Sequence, residues 1–282
     1  SYLKGNITIT KAPVTVTASG GTQVYGATSA PAITSVVTGL RNSETASVLG
    51  TITCAANVTK DTGAATYLNT STCSGASSAN YQASFVGGTL TVTQAPIVAT
   101  AGATTSVWGT SPPVPAATLA GFKNSQTRTV LTTQPTCTTT VTSSTNAGSY
   151  VGANSCAGAA AKNYSFSYVL GNATVTKADL VITPGQISVV RSFWAGKMTF
   201  TAKVTHSITG APIAGVPVSF ATTSILNYTL TCTGTTNAQG IATCSNGNGN
   251  FLFLYTPKTY TGQAPATTNY NAATGTGVIY YF

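Results

Sequence analysis

The chain has 282 residues, of which 42% are hydrophobic and only 5% charged, with a formal net charge of +9. That is enough apolar residue for packed cores, but no run approaches the ~20 residues of a membrane-spanning helix. The positive sign reflects missing acids, since only Glu44, Asp61 and Asp179 are present, and the basic residues are scattered rather than gathered into the aromatic-interleaved stripe of a nucleic-acid surface.

Taken in chain order, residues 1–11 come first. Leu3, Gly5, Ile7 and Ile9 alternate as a strand would, and Gly5, Ile7 and Ile9 sit 83 residues before Gly88, Leu90 and Val92, which sit 83 before Gly171, Ala173 and Val175. The segment therefore reads as the last strand of a unit otherwise not seen. Three readings stay open: the tail of a preceding repeat in a longer array, a strand donated to a neighbouring chain, or an edge strand folded back on the module that follows.

Residues 12–94 and 95–177 are one module written twice. Cys54 and Cys73 recur as Cys137 and Cys156, Tyr25-Gly26 as Trp108-Gly109, Asn80-Tyr81 as Asn163-Tyr164, and Ala12-Pro13 as Ala95-Pro96. Alternating runs such as Pro13-Val14-Thr15-Val16-Thr17 and Thr89-Leu90-Thr91-Val92-Thr93 predict strands with one wet face. Turn residues punctuate them at short intervals. Residues 178–282 form a third, dissimilar stretch with the same β pattern, for example Thr199-Phe200-Thr201-Ala202-Lys203-Val204. The fold class expected is all-β: three tandem β-sandwiches. The short hinges at Lys11-Ala12-Pro13, Gln94-Ala95-Pro96 and Lys177-Ala178-Asp179 predict a stiff rod, on the order of 100 Å long at ~3.3 Å per strand residue.

Six cysteines fall two to a domain: Cys54 with Cys73, Cys137 with Cys156, and Cys232 with Cys244. Equivalent domains should bridge equivalent positions, and closing a loop of about 19 residues stabilises a small sandwich by roughly 3 kcal/mol. Disulfides imply an oxidising, extracellular compartment. A metal site would need clustered thiolate and imidazole ligands at short spacing, and the chain has one histidine and no CxxC, so neither metal nor cofactor is expected.

The repeated unit resembles the MBG domains (YGX type) of bacterial surface proteins. Val24-Tyr25-Gly26-Ala27, Val107-Trp108-Gly109-Thr110 and the ending Asn80-Tyr81 through Gly88-Thr89-Leu90-Thr91-Val92-Thr93 carry the likeness. Ala211-Pro212-Ile213-Ala214-Gly215-Val216-Pro217-Val218-Ser219-Phe220, with Thr236-Asn237-Ala238-Gln239-Gly240-Ile241-Ala242-Thr243, resembles the bacterial immunoglobulin-like domains of invasins and intimins. These resemblances imply stalks, spacers and display modules of adhesins and surface fibres.

Nothing in the sequence assembles a catalytic group. His206, at a strand end, reads as a turn or surface residue, and the three acids lie in different modules or loops, too scattered for a glycosidase pair or a calcium cluster. No enzyme is expected. Phe193-Trp194, between two predicted strands, offers a place for a sugar or receptor to stack, or a contact between domains. Asn6, Asn57, Asn69, Asn163, Asn172 and Asn227 stand in N-glycosylation sequons, a number that chance accounts for in a chain so rich in Ser and Thr. The expected function is a structural segment of an extracellular fibre or adhesin stalk whose partners are copies of itself or further repeats. The alternative is a binding module that recognises glycan or a cell-surface protein through the third domain.

Overall fold

The computed structural model describes residues 3–189, 198–223, 229–245 and 258–282, and all its elements but two short 3-10 turns are strands. The first repeat contributes β1 (Ala12–Ala18), β2 (Gly21–Val24), β3 (Ser35–Thr38), β4 (Thr53–Ala56), β5 (Ala65–Ser74), β6 (Tyr81–Val86) and β7 (Gly88–Thr93). They form two sheets, ordered β3-β1-β6 and β2-β7-β5-β4. The alternation works as the side-chain period of two requires: Val14, Val16 and Ala18 of β1 are buried, as are Leu90 and Val92 of β7. Parallel pairings join β1 to β6 and β2 to β7, and antiparallel ones complete each sheet.

The second repeat contributes β8 (Ala95–Ala101), β9 (Thr104–Val107), β10 (Ala117–Ala120), β11 (Thr136–Thr139), β12 (Gly148–Ala157), β13 (Tyr164–Val169) and β14 (Gly171–Thr176). Its sheets, β10-β8-β13 and β11-β12-β14-β9, repeat the first pair strand for strand. Even the irregularities are shared. The register slips between Tyr67 and Ser71 in β5 and between Tyr150 and Asn154 in β12, and each slip ends on a fully buried polar side chain. Such groups need partners: the Ser71 hydroxyl donates to the Ser19 carbonyl at 2.6 Å, and Asn154 Nδ2 donates to the Gly102 carbonyl at 2.8 Å.

The third domain contains β15 (Leu180–Pro184), β16 (Ile187–Val189), β17 (Thr199–His206), β18 (Pro217–Thr223), β19 (Thr229–Thr235), β20 (Ile241–Ser245), β21 (Thr259–Ala264) and β22 (Ala273–Tyr281). Its sheets are β15-β17-β20 and β16-β22-β21-β18-β19. Phe200, Phe220 and Tyr260 fill its centre, with ring centroids 5.2–6.2 Å apart. The buried Tyr260 hydroxyl donates to the carbonyls of Gly185 and Thr201, so the one polar atom among these rings is satisfied. The chain is thus all-β, with three β-sandwich domains in tandem.

Three disulfides form, Cys54–Cys73, Cys137–Cys156 and Cys232–Cys244. Cys54 and Cys73 face each other across the β4–β5 ladder, whereas the third bridge links β19 to β20 and so ties one sheet of its domain to the other.

Packing groups the strands differently from the repeat. One compact unit holds Ser1–Ala101, Ala117–Cys137 and Cys156–Val169, which is the first repeat plus the β10-β8-β13 sheet of the second. Its core joins Tyr25, Leu90 and Val92 to Ala95, Ile97 and Tyr164. A second unit holds Gly102–Ala116, Thr138–Ser155 and Leu170–Phe282, where Trp108 packs on Val175, Ala173 and Val141. Each unit therefore contains one complete junction between consecutive modules.

Residues 3–10 belong to no strand, and Leu3, Ile7 and Ile9 are 98%, 91% and 92% exposed. The fold-back reading of this segment is thus corrected. Strand β1 already pairs with β3 and β6 on its two sides, and the segment joins neither sheet of the module as an edge.

Candidate interface at the module junctions

Strand β7 ends at Thr93 and β8 begins at Ala95, so the first junction has a single linking residue. A seam that short must be closed by side chains from both modules. The Tyr25 amide donates to the Thr93 carbonyl at 2.8 Å, which sets the ring at the end of the last strand. The buried ring then meets Tyr164 edge-on at 5.5 Å, and Tyr164 meets Phe122 edge-on at 5.6 Å, an arrangement that suits the ring quadrupoles. Gln126 ties the two hydroxyls together. Its Nε2 donates to the Tyr25 oxygen at 3.0 Å, and the Tyr164 hydroxyl donates to its Oε1 at 2.7 Å. Burial raises the Tyr164 phenol above its ordinary range.

Asn163 reads the backbone of the preceding module. Its own carbonyl accepts the Ala95 amide at 2.9 Å, and its Oδ1 accepts the Ala64 amide at 2.9 Å. Asn124 Nδ2 donates to the Lys60 carbonyl, which also accepts the Gly26 amide. Gly26 has φ +80°, and a methyl built on it would lie 2.4 Å from Lys123 Cβ. Glycine is required there twice, for the left-handed backbone and for the approach of the next module.

The junction inside the second unit uses the same parts. The Trp108 amide donates to the Thr176 carbonyl at 2.9 Å, and the indole lies against Tyr270 at 5.9 Å. The Ala178 amide donates to the Asn269 carbonyl, and Asn269 Oδ1 accepts the Ala147 amide, both at 2.9 Å. Gly109 has φ +83°, and its Cβ would stand 2.9 Å from His206 Cδ2.

His206 is 1% exposed, which corrects its reading as a turn or surface residue. Its Nδ1 accepts the Ile208 and Thr209 amides at 3.1 and 3.3 Å, so Nε2 carries the proton and donates to the Trp108 carbonyl at 2.7 Å. Both ring nitrogens are thereby used in holding a turn and a junction.

The other expected site residues fall as follows. Glu44 accepts the Tyr81 hydroxyl, Asp61 pairs with Lys60 at 3.1 Å, and Asp179 Oδ1 accepts from Asn271 at 2.7 Å. Each acid has its own separate partner, and among the described residues no three His, Cys, Asp or Glu side chains gather as metal ligands would. A shallow hollow lined by Leu119, Phe122, Gln126 and Arg128 holds no acid or base pair. Asn6, Asn57, Asn69 and Asn172 are exposed, while Asn163 is half-buried and already engaged. Phe193, Trp194 and Asn227 lie outside the described residues. Sequence reasoning missed Gln126, Asn124 and Asn269 as junction residues. The available signal was the recurrence of Asn-Tyr at Asn80, Asn163 and Asn269, each directly before a tyrosine.

A fold of disulfide-bridged β-sandwiches that meet through an aromatic–glycine turn defines a class of tandem-repeat structural domains. The model of the MBG domain family (YGX type) matches residues 14–91 and 97–174, more than half of the chain. The chain belongs to that family. No curated protein matches it. Among solved structures it is similar to the Bacillus anthracis TIE protein, at 10% identity over 96% of this chain with a TM-score of 0.23. The chain spans about half the length of that structure, covering 51% of it.

Proposed function

We propose that the chain is a load-bearing segment of an extracellular bacterial surface fibre or adhesin stalk, joined to its neighbour through residues 1–11. The observation that carries this is a contrast among three segments at equivalent places in the sequence, two of which are strands. Leu90 and Val92 are 1% and 3% exposed and Ala173 and Val175 are 2% and 3%, while Ile7 and Ile9 at the same register are more than nine-tenths exposed. A segment with alternating apolar side chains and free backbone groups is a template for pairing as a strand, and completion of a neighbouring module by strand addition would cover it. Three disulfides accord with an oxidising compartment, and no described helix is long and apolar enough to cross a membrane. The third domain serves here as an immunoglobulin-like spacer. The other reading makes it an adhesive tip for glycan or a surface protein; it rests on Phe193 and Trp194, which lie outside the described residues.

Negative-stain microscopy of native material tests the proposal alongside a chain lacking residues 1–10. Filaments should form with the full chain and vanish in the deletion, which should still run as a folded monomer on size exclusion. Filaments that persist without residues 1–10 rule out strand donation, and a full chain that never associates rules out the fibre.

A further inference from the structure

The first module carries, preformed and uncovered, the same face that the second module and the third domain each press against their predecessor. The Ala12 amide donates to the Asn80 carbonyl at 2.9 Å, as Ala95 does to Asn163 and Ala178 to Asn269. Tyr81 accepts the Arg41 amide at 2.9 Å, as Tyr164 accepts that of Lys123. Even the strained turn beside it is copied. Asn42 and Ser43 have φ of 54° and 57°, against 53° and 57° at Asn124 and Ser125. Holding two consecutive non-glycine residues left-handed is costly, so a shape kept twice points to a shared task.

What differs is occupancy. Ala95 and Ala178 are fully buried, whereas Ala12 is only partly so. Asn163 and Asn269 each accept a backbone amide of the preceding module through Oδ1, whereas the Asn80 side chain is exposed and makes no hydrogen bond among the described residues. The rest of the face is alike in both modules: Leu40 packs beside the buried Tyr81 as Phe122 packs on Tyr164, and both are half-buried.

We propose that this face, built from Leu40, Arg41, Glu44, Asn80 and Tyr81, docks the aromatic–glycine end of a preceding YGX-type module. The inference rests on the fibre reading and gives its partner a chemistry. Glu44 stands where Gln126 stands in the second module. Glutamine both donates and accepts, but a carboxylate only accepts. Glu44 already takes the Tyr81 hydroxyl, which pushes that phenol above its ordinary range. Its remaining acceptor sites call for a donor, the O–H of a tyrosine or the N–H of a tryptophan at the Tyr25 position of the occupant. The Asn80 oxygen calls for a free backbone amide at the Ala64 position. The occupant is therefore a module end such as residues 12–94 present to the second repeat, with residues 5–10 as its last strand.

The test joins a second copy of residues 12–87 directly to Gly5, so that residues 5–10 complete the added module. Hydrogen exchange is followed in this extended chain and in its Asn80→Ala and Glu44→Leu variants. The amide of the added copy's Ala64 should be slowed roughly tenfold or more relative to the Asn80→Ala variant, the factor expected for one hydrogen bond of typical net strength. Glu44→Gln, which keeps an acceptor, should retain the protection. Asn80→Ala should leave thermal stability unchanged in the original chain and lower it in the extended one. If the Ile7 and Ile9 amides become protected while the added Ala64 amide exchanges at the rate of an open loop, docking is overturned and strand completion survives. An added module that folds while leaving residues 5–10 unprotected overturns both.

Discussion

Gly26→Ala isolates what the family's aromatic–glycine turn is for. The substitution adds one methyl at φ +80°, and that methyl would fall 2.4 Å from Lys123 Cβ and 2.6 Å from Lys123 Cγ. The left-handed backbone alone costs an alanine ~1–2 kcal/mol. Forcing atoms into an occupied space adds about 1–3 kcal/mol, for a combined loss of roughly 2–5 kcal/mol if the modules stay docked. Lys123→Gly removes the side-chain atoms the methyl meets but leaves the backbone term in place. A double-mutant cycle on these positions, read by urea unfolding with far-UV circular dichroism and the disulfides intact, should return a coupling of about 1–3 kcal/mol. A cycle that closes to within ~0.5 kcal/mol would mean that glycine serves the turn alone and that the neighbouring module has no part in it.

Replacing Cys54 and Cys73 together by alanine opens a 19-residue loop and should lower stability by roughly 3 kcal/mol on the loop-entropy estimate, measured by the same unfolding; a loss below ~1 kcal/mol would contradict that estimate. High pH should also unfold the chain. Burial lifts the Tyr281 phenol to about 12 and raises Tyr164 and Tyr260 in the same direction, whereas tyrosine in an unfolded chain titrates near ~10. The folded form thus holds protons that the unfolded form releases, so this contribution is complete below about pH 10 and fades as pH climbs toward 12. Melting temperatures that stay level across that interval would contradict it.

Strands and bridges were legible because they are local or repeated. Val14 and Val16 announce a wet-faced strand by period alone, and the 83-residue echo of Cys54 and Cys73 pairs the cysteines without geometry. The junctions were not legible in the same way. Tyr25 reads as a core aromatic of its own module, yet its hydroxyl partner, Gln126, lies 101 positions away in the next. His206 reads as a surface residue because it is polar and ends its strand, although it holds the inward phase of Phe200, Ala202 and Val204. It is buried by a carbonyl of Trp108, 98 residues distant, and by the turn it caps. Period and turn chemistry report which face of an element meets its own core. They carry no information about which end of a sandwich meets another sandwich, and that is where this chain places its polar specificity.

Because the junction parts recur where the sandwich itself changes, they should be transferable. Deleting residues 95–177 joins Gln94 to Ala178 in the register that Ala95 now holds. Tyr25 would then stand where Trp108 stands, against Tyr270, with Asn269 Oδ1 facing the Ala64 amide and His206 Nε2–H facing the Tyr25 carbonyl. Three interactions have no counterpart in the shortened chain. Gln126 is gone from the Tyr25 hydroxyl, Asn124 is gone from the Lys60 carbonyl, and Gly63 occupies the place of Asn146, whose Oδ1 accepts from Asn269 at 2.9 Å. Three hydrogen bonds at ~1 kcal/mol each should weaken the seam by about 3 kcal/mol without opening it, since the ring contact and the Asn269 contact remain. Hydrogen exchange at the Ala64 amide decides the matter. Protection there, with one cooperative melt, means that the Asn-Tyr face recognises any aromatic–glycine end. An Ala64 amide that exchanges freely beside two independent melts means that each junction is built for its own pair, and the recurrence of the motif is no more than shared descent.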